Sequence, residues 1–140
     1  MEDLPDELYD SIVLDLEKGD EQMEKSKFQE ALQNYLQGLE KVPKEKEQWE
    51  VSLHLYTALG DCYFNLEDYP ASNHKYNKAL QCPDGLENAY VWLGLGQSFF
   101  EINEKEKAKD AFMSAYMLEG REIFENQGYQ YFDLIKEFVS

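Results

Sequence analysis

Three times along this chain a glycine is followed, at nearly fixed offsets, by the same kinds of residue, and no other feature constrains the fold as tightly. The third copy is the fullest: Trp92, Leu95, Gly96 and Phe99, then Ala108, Phe112, Ala115 and Gly120. The second reads Tyr56, Leu59, Gly60 and Tyr63, then Ser72, Tyr76 and Ala79, with Pro83 behind it. The first keeps Gly19, Ala31, Tyr35, Gly38 and Pro43 but sets Asp15, Lys18 and Gln22 at the usual large apolar places. Polar substitution of that kind suits a helix at the end of a stack, which has no preceding neighbour to pack against. The glycines stand 41 and then 36 residues apart, a period that belongs to stacked supersecondary units.

Within each copy the apolar spacing is helical. Phe28, Leu32, Tyr35, Leu36 and Leu39 form the stripe of an amphipathic helix, and Leu4, Leu8, Ile12 and Leu16 step by four. Sustained apolar/polar alternation, the mark of a strand, is missing. A small residue at Gly60 or Gly96 lets a second helix come close, and Ala31, Ser72 and Ala108 do the same from the other side. Aromatic rings at Tyr63, Tyr76, Phe99 and Phe112 fill the space between. An antiparallel helix pair cannot bury both of its faces alone, so the expectation is an all-α solenoid with one concave surface. Two insertions fall at inter-repeat turns. Residues 44–50 are expected to lengthen the helix that holds Trp49, and Pro83, Asp84 and Gly85 to form a turn. Ile123, Phe124, Tyr131, Phe132, Ile135 and Phe138 predict a capping helix over about 121–139, which Gly128 is placed to interrupt.

The order Trp-x-x-Leu-Gly-x-x-aromatic, then Ala-x-x-x-Phe, resembles the tetratricopeptide repeat (TPR), whose ordinary period is about 34 residues. The resemblance implies a TPR solenoid of three helix-turn-helix repeats, at about 6–43, 45–84 and 86–119, in a single domain over 1–140. More narrowly, the chain is similar to small bacterial TPR proteins encoded beside polymorphic toxins, a group read as immunity proteins. That likeness rests on Leu-Pro-Asp-Glu-Leu-Tyr-Asp (4–10), Leu-Gly-Asp-Cys-Tyr-Phe (59–64), Cys-Pro-Asp-Gly-Leu-Glu-Asn-Ala-Tyr (82–90), Leu-Gly-Gln-Ser-Phe-Phe-Glu (95–101) and Ala-Tyr-Met-Leu-Glu-Gly-Arg-Glu-Ile-Phe (115–124). It implies a partner to be neutralised.

Charge narrows the partners. The formal net charge is −16 over 140 residues, and ten acids stand against Lys18 within the first 24. Nucleic acid and anionic lipid need a basic face, so both are excluded as general targets. The surplus either keeps the chain soluble or attracts a basic partner. Cys62 and Cys82 do not make a disulfide framework, the acidic N-terminus is unlike a secretory signal, and no apolar run reaches membrane length. The expected address is cytoplasmic.

In a TPR stack the first helix of each repeat lines the groove. The resemblance therefore implies partner-binding positions at Glu17, Asp20 and Glu24, at His54, Thr57, Asp61, Phe64 and Asn65, and at Tyr90, Leu93, Gln97, Phe100 and Glu101. Such a groove is acidic, with Phe64 and Phe100 as aromatic anchors; the alternative for these two rings is closing the core at helix ends. TPR domains that grip a chaperone's C-terminal carboxylate need lysine, asparagine and arginine on the groove. Here Leu16, Asp20 and Tyr90 take three of those places, so a carboxylate is repelled and a basic segment favoured. Catalysis has no footing. His54 and Cys62 lie about 80° apart on a helix, His74 has no ligand-spaced neighbour, and no glycine-rich phosphate loop is present. No cofactor or metal is expected. The leading expectation is a non-enzymatic protein-binding module, an inhibitor of a basic toxin in its sharpest form. A cytosolic secretion chaperone and a general TPR scaffold are the alternatives.

Overall fold

The computed structural model describes residues 3–139. Six helices make three antiparallel hairpins: α1 (Asp6–Glu24) with α2 (Phe28–Lys41), α3 (Glu50–Asn65) with α4 (Tyr69–Leu80), and α5 (Ala89–Glu101) with α6 (Lys105–Glu119). A short helix, α7 (Tyr129–Asp133), follows, and single 3-10 turns occupy Lys46–Gln48, Arg121–Phe124 and Lys136–Phe138. Among the described residues there is no strand, and no helix is long and apolar enough to cross a membrane.

All three hairpins close with the same turn. Ser26, Glu67 and Asn103 each take a left-handed backbone. The next N–H then reaches back to a carbonyl five residues earlier: Lys27 to Gln22 at 2.8 Å, Asp68 to Tyr63 at 2.9 Å, and Glu104 to Phe99 at 2.9 Å. These bonds satisfy carbonyls that a helix end leaves free. Asp68 and Asn88 cap α4 and α5 with their side chains.

The hairpins stack in chain order. Helix α2 packs on α3 and α4 on α5, while α1 touches α3 and α3 touches α5. The main core runs through the first two hairpins into the third, around Ile12, Tyr35, Leu55, Leu59, Tyr76 and Val91. A second core joins Leu93, Phe112 and Ala115 to Phe124, Tyr131 and Ile135 of the C-terminal segment.

Three local expectations need correction. Residues 44–50 do not lengthen a helix. Glu45 is left-handed, Lys46–Gln48 make a 3-10 turn, and the extended Trp49 precedes α3. Lys46 holds this turn down by donating its ammonium to the α2 end, at Leu39 O (2.9 Å) and at Val42 O. The C-terminal cap is not one helix over 121–139 but a short helix between two 3-10 turns. Gly128, at φ +91°, makes the break. The polar positions of α1 do not all face solvent. Asp15 is buried and ion-paired to Lys41 at 2.7 Å, and Gln22 accepts from Asn34 at 2.6 Å. They bind α1 to α2 with polar contacts where the other hairpins use apolar ones.

Candidate functional site

Gly19 and Gly60 are each followed by aspartate, and fifteen residues later by tyrosine. A side-chain carbon on Gly19 would lie 2.4 Å from the Tyr35 ring, and one on Gly60 would lie 2.7 Å from Tyr76. Each ring therefore occupies the gap its glycine leaves in the neighbouring helix. The Tyr35 hydroxyl donates to Asp20 Oδ1 at 2.6 Å, and the Tyr76 hydroxyl donates to Asp61 Oδ1. Both tyrosines are at least 98% buried, so a core residue orients each carboxylate, the exposed Asp20 and the half-buried Asp61.

The two aspartates come together. With Leu16, Leu53, His54, Thr57, Ala58, Asn88 and Tyr90 they line a depression of about 360 Å³ on the faces of α1, α3 and α5. Tyr90 is half exposed and donates to Asp61 Oδ2 over a long 3.4 Å. Burial pushes the Asp61 carboxyl up to about 6; the hydroxyls of Tyr76 and Tyr90 pull it down, and the Asp20 charge adds to the rise. No lysine or arginine lines this depression.

The third hairpin departs from the pattern. Gln97 follows Gly96, but Phe112 fills the glycine gap and has no hydroxyl to offer. Gln97 instead donates to Gln127 at 2.9 Å. Next to it Phe100 meets Tyr131 edge-on at 5.4 Å, and the Tyr131 hydroxyl donates to Glu101 at 3.5 Å. The C-terminal segment thus covers this end of α5.

Of the thirteen positions expected to bind a partner, Asp20, His54, Thr57, Asp61 and Tyr90 share the depression. Glu17 and Glu24 are exposed on α1 but outside it, and the exposed Asn65 donates to the backbone of Asp61 at 2.8 Å. Phe64 is half-buried, edge-on to Tyr69 at 5.1 Å. Leu93 is corrected: it is 2% exposed and belongs to the second core. Helix α5 lies between α4, α6 and the C-terminal segment, so most of its circumference is covered. Gln97, Phe100 and Glu101 are engaged by that segment as described. The expectation overlooked Leu53 and Asn88, and above all the buried Tyr35 and Tyr76. Their signal, Gly-Asp with tyrosine fifteen residues on, stands twice in the sequence.

Cys62 is buried, donates to Phe28 O at 3.1 Å and is pushed up to about 11, while His54 is exposed. Among the described residues, no three His, Cys, Asp or Glu side chains are grouped to hold a metal. Arg121 stands over the Phe132 ring at 5.0 Å.

Known structures of this shape settle the fold. The first TPR of Spaghetti (RPAP3), bound to the HSP90 peptide SRMEEVD, superposes with a TM-score of 0.74 at 17% identity, covering 94% of this chain and 95% of that one. The C-terminal TPR-containing domain of a Plasmodium falciparum FK506-binding protein gives 0.79 at 20% identity, with coverage of 97% and 94%. The chain has the TPR fold. The first TPR domain of human RPAP3 is a third TPR neighbour, at 0.70 and 18% identity, covering 91% and 88%. No protein-family model matches the sequence, and no curated protein does either. The Asp20–Asp61 depression lies on the first helix of each hairpin, α1, α3 and α5.

Proposed function

We propose that this TPR chain is a non-enzymatic binding module that takes a basic segment of a partner protein on its concave face. The observation that carries the reading is the depression in which Asp20 and Asp61 converge with no cation among the lining residues. The neighbouring Spaghetti domain holds an HSP90 peptide ending in Glu-Glu-Val-Asp. Two aspartates in the depression of this chain favour the opposite charge. A chaperone for unfolded apolar segments would want an apolar groove, so the acidic lining speaks against that alternative. The sharpest form of the proposal is an inhibitor of a basic toxin, its acidic face blocking the charge the toxin uses on nucleic acid.

The test is titration of a fluorescent lysine-rich peptide in low and high salt. Binding that falls steeply with salt, and at least about tenfold in the Asp20→Asn/Asp61→Asn variant, supports the reading. Equal binding of an acidic peptide of the same length, or an affinity flat in salt, sinks it. The toxin-inhibitor form is tested separately by co-expression with the product of the neighbouring gene. Rescued growth supports it, and undiminished toxicity removes it.

A further inference from the structure

Asp20 and Asp61 are not equivalent. Each has one carboxylate oxygen tied by a buried tyrosine hydroxyl, Tyr35 on Asp20 and Tyr76 on Asp61. Asp20 is exposed, and among the described residues its second oxygen accepts no bond. Asp61 is half-buried, and its second oxygen accepts from the Tyr90 hydroxyl at 3.4 Å. One carboxylate of the pair is open to an incoming group, while the other is already engaged at both oxygens.

The two bonds to Asp61 differ in how easily they break. Tyr76 is 2% exposed, and its ring lies against both Gly60 and Gly94, so it cannot turn away without meeting backbone. Tyr90 is 51% exposed. Its backbone is fixed at the start of α5, where Asn88 Oδ1 accepts from the N–H groups of Tyr90 (3.0 Å) and Val91 (3.2 Å). The ring is therefore free to swing about its own side-chain bonds while the helix stays still, a movement that exposed side chains make in nanoseconds or less. At 3.4 Å the bond is longer than a hydroxyl donor ordinarily makes. A neutral hydroxyl is also the weaker kind of donor to a carboxylate. An ammonium or guanidinium makes a shorter, stronger, charge-assisted bond.

Resting on the proposed function above, we infer that Tyr90 is an internal competitor for the partner: its hydroxyl holds the Asp61 oxygen that a cation of the bound segment takes over, and its ring swings aside as that cation arrives. Tyr76 keeps its own bond throughout and presents the released oxygen in a fixed position. Tyr90 thereby lowers the affinity of the site, because the cation binds Asp61 at full strength only when the hydroxyl is away. In exchange, the half-buried carboxylate keeps a hydrogen-bond donor on each oxygen before any partner is bound. The loss in affinity belongs to Asp61 alone, since Asp20 has no such competitor.

The experiment is a double-mutant cycle on the full chain, read with a fluorescent lysine-rich peptide in low salt. Tyr90→Phe keeps the ring and removes only the hydroxyl. It is expected to bind the peptide about threefold more tightly than the native chain, the worth of one weak hydrogen bond. In the Asp61→Asn background the same Tyr90→Phe change is expected to leave the affinity where it was, because the contested charge is gone. Tightening in the native background alone supports the inference. Unchanged or weaker binding by Tyr90→Phe overturns it, and makes the hydroxyl a bystander or a contact of the peptide. Equal tightening in both backgrounds also overturns it, since the hydroxyl then acts somewhere other than Asp61. The failure of the proposed function looks different: the native chain does not bind the peptide, or the Asp20→Asn/Asp61→Asn variant binds it equally well, and the inference falls with it. Tyr90 is half-exposed, and unchanged helicity by circular dichroism confirms that the variants remain folded.

Discussion

Asp61 couples the groove to pH. Its carboxyl is held near 6, against a usual value of 3.8, chiefly by burial. The folded chain therefore binds that proton more tightly than the unfolded chain. The stability from this group is complete below about pH 4 and is lost as pH rises through 6. Attraction for a cation runs the other way, full above pH 6 and weaker below it. The groups that face Asp61 are Asp20 from α1, Tyr76 from α4 and Tyr90 from α5, with His54 in the same depression. In the Asp61→Asn variant the melting temperature rises relative to the native chain as pH goes from about 4 to 7; a constant difference would refute the shift. The glycine gaps are tested more bluntly. A side-chain carbon on Gly96 would stand 2.4 Å from Phe112, so Gly96→Ala costs about 1–3 kcal/mol in urea denaturation. Phe100 packs edge-on against Tyr131 at 5.4 Å. Phe100→Ala costs about 1–2 kcal/mol through the lost Tyr131 contact, read as a lower denaturation midpoint.

At the scale of the elements, the six hairpin helices were legible because apolar stripes and glycine gaps repeat. What sequence reasoning missed has a common cause: local propensity was overruled by a tertiary partner. Residues 44–50 favour a helix by composition, yet Lys46 spends its ammonium on the α2 carbonyls and the chain turns. The C-terminal stripe looks like one amphipathic helix, yet Phe124, Tyr131 and Ile135 enter the second core from separate short turns. Asp15 read only as an end-of-stack polar substitution because its partner lies twenty-six positions away, at Lys41. The groove was partly legible for the same reason the hairpins were. The residues after Gly19 and Gly60 face it, while Gln97, after Gly96, is held by Gln127 and Leu93 lies in the second core, because the covering segment follows no repeat. Asp15→Ala removes the ion pair and costs about 1–3 kcal/mol, less than for a fully enclosed pair because Lys41 is 30% exposed and can turn to water. Calorimetry of that variant checks it.

At the scale of the whole molecule, stacking alone does not finish the core. Without residues 121–139, Phe112 and Leu93 would face water, and both are now at most 2% exposed. A chain ending at Gly120 is expected to bind a hydrophobic dye and to unfold at a markedly lower temperature; an unchanged midpoint would make the segment an accessory. One ring has a wider reach. Tyr76 lies against Gly60 of α3 and also against Gly94 of α5, where an added carbon would come within 2.4 Å. It works as a dowel through three helices, so none of them can slide along the others without driving backbone into the ring. On the proposed reading, a partner segment meets a mould already set. Its capture needs little induced ordering, and its speed follows diffusion and long-range attraction rather than any slow rearrangement of the host.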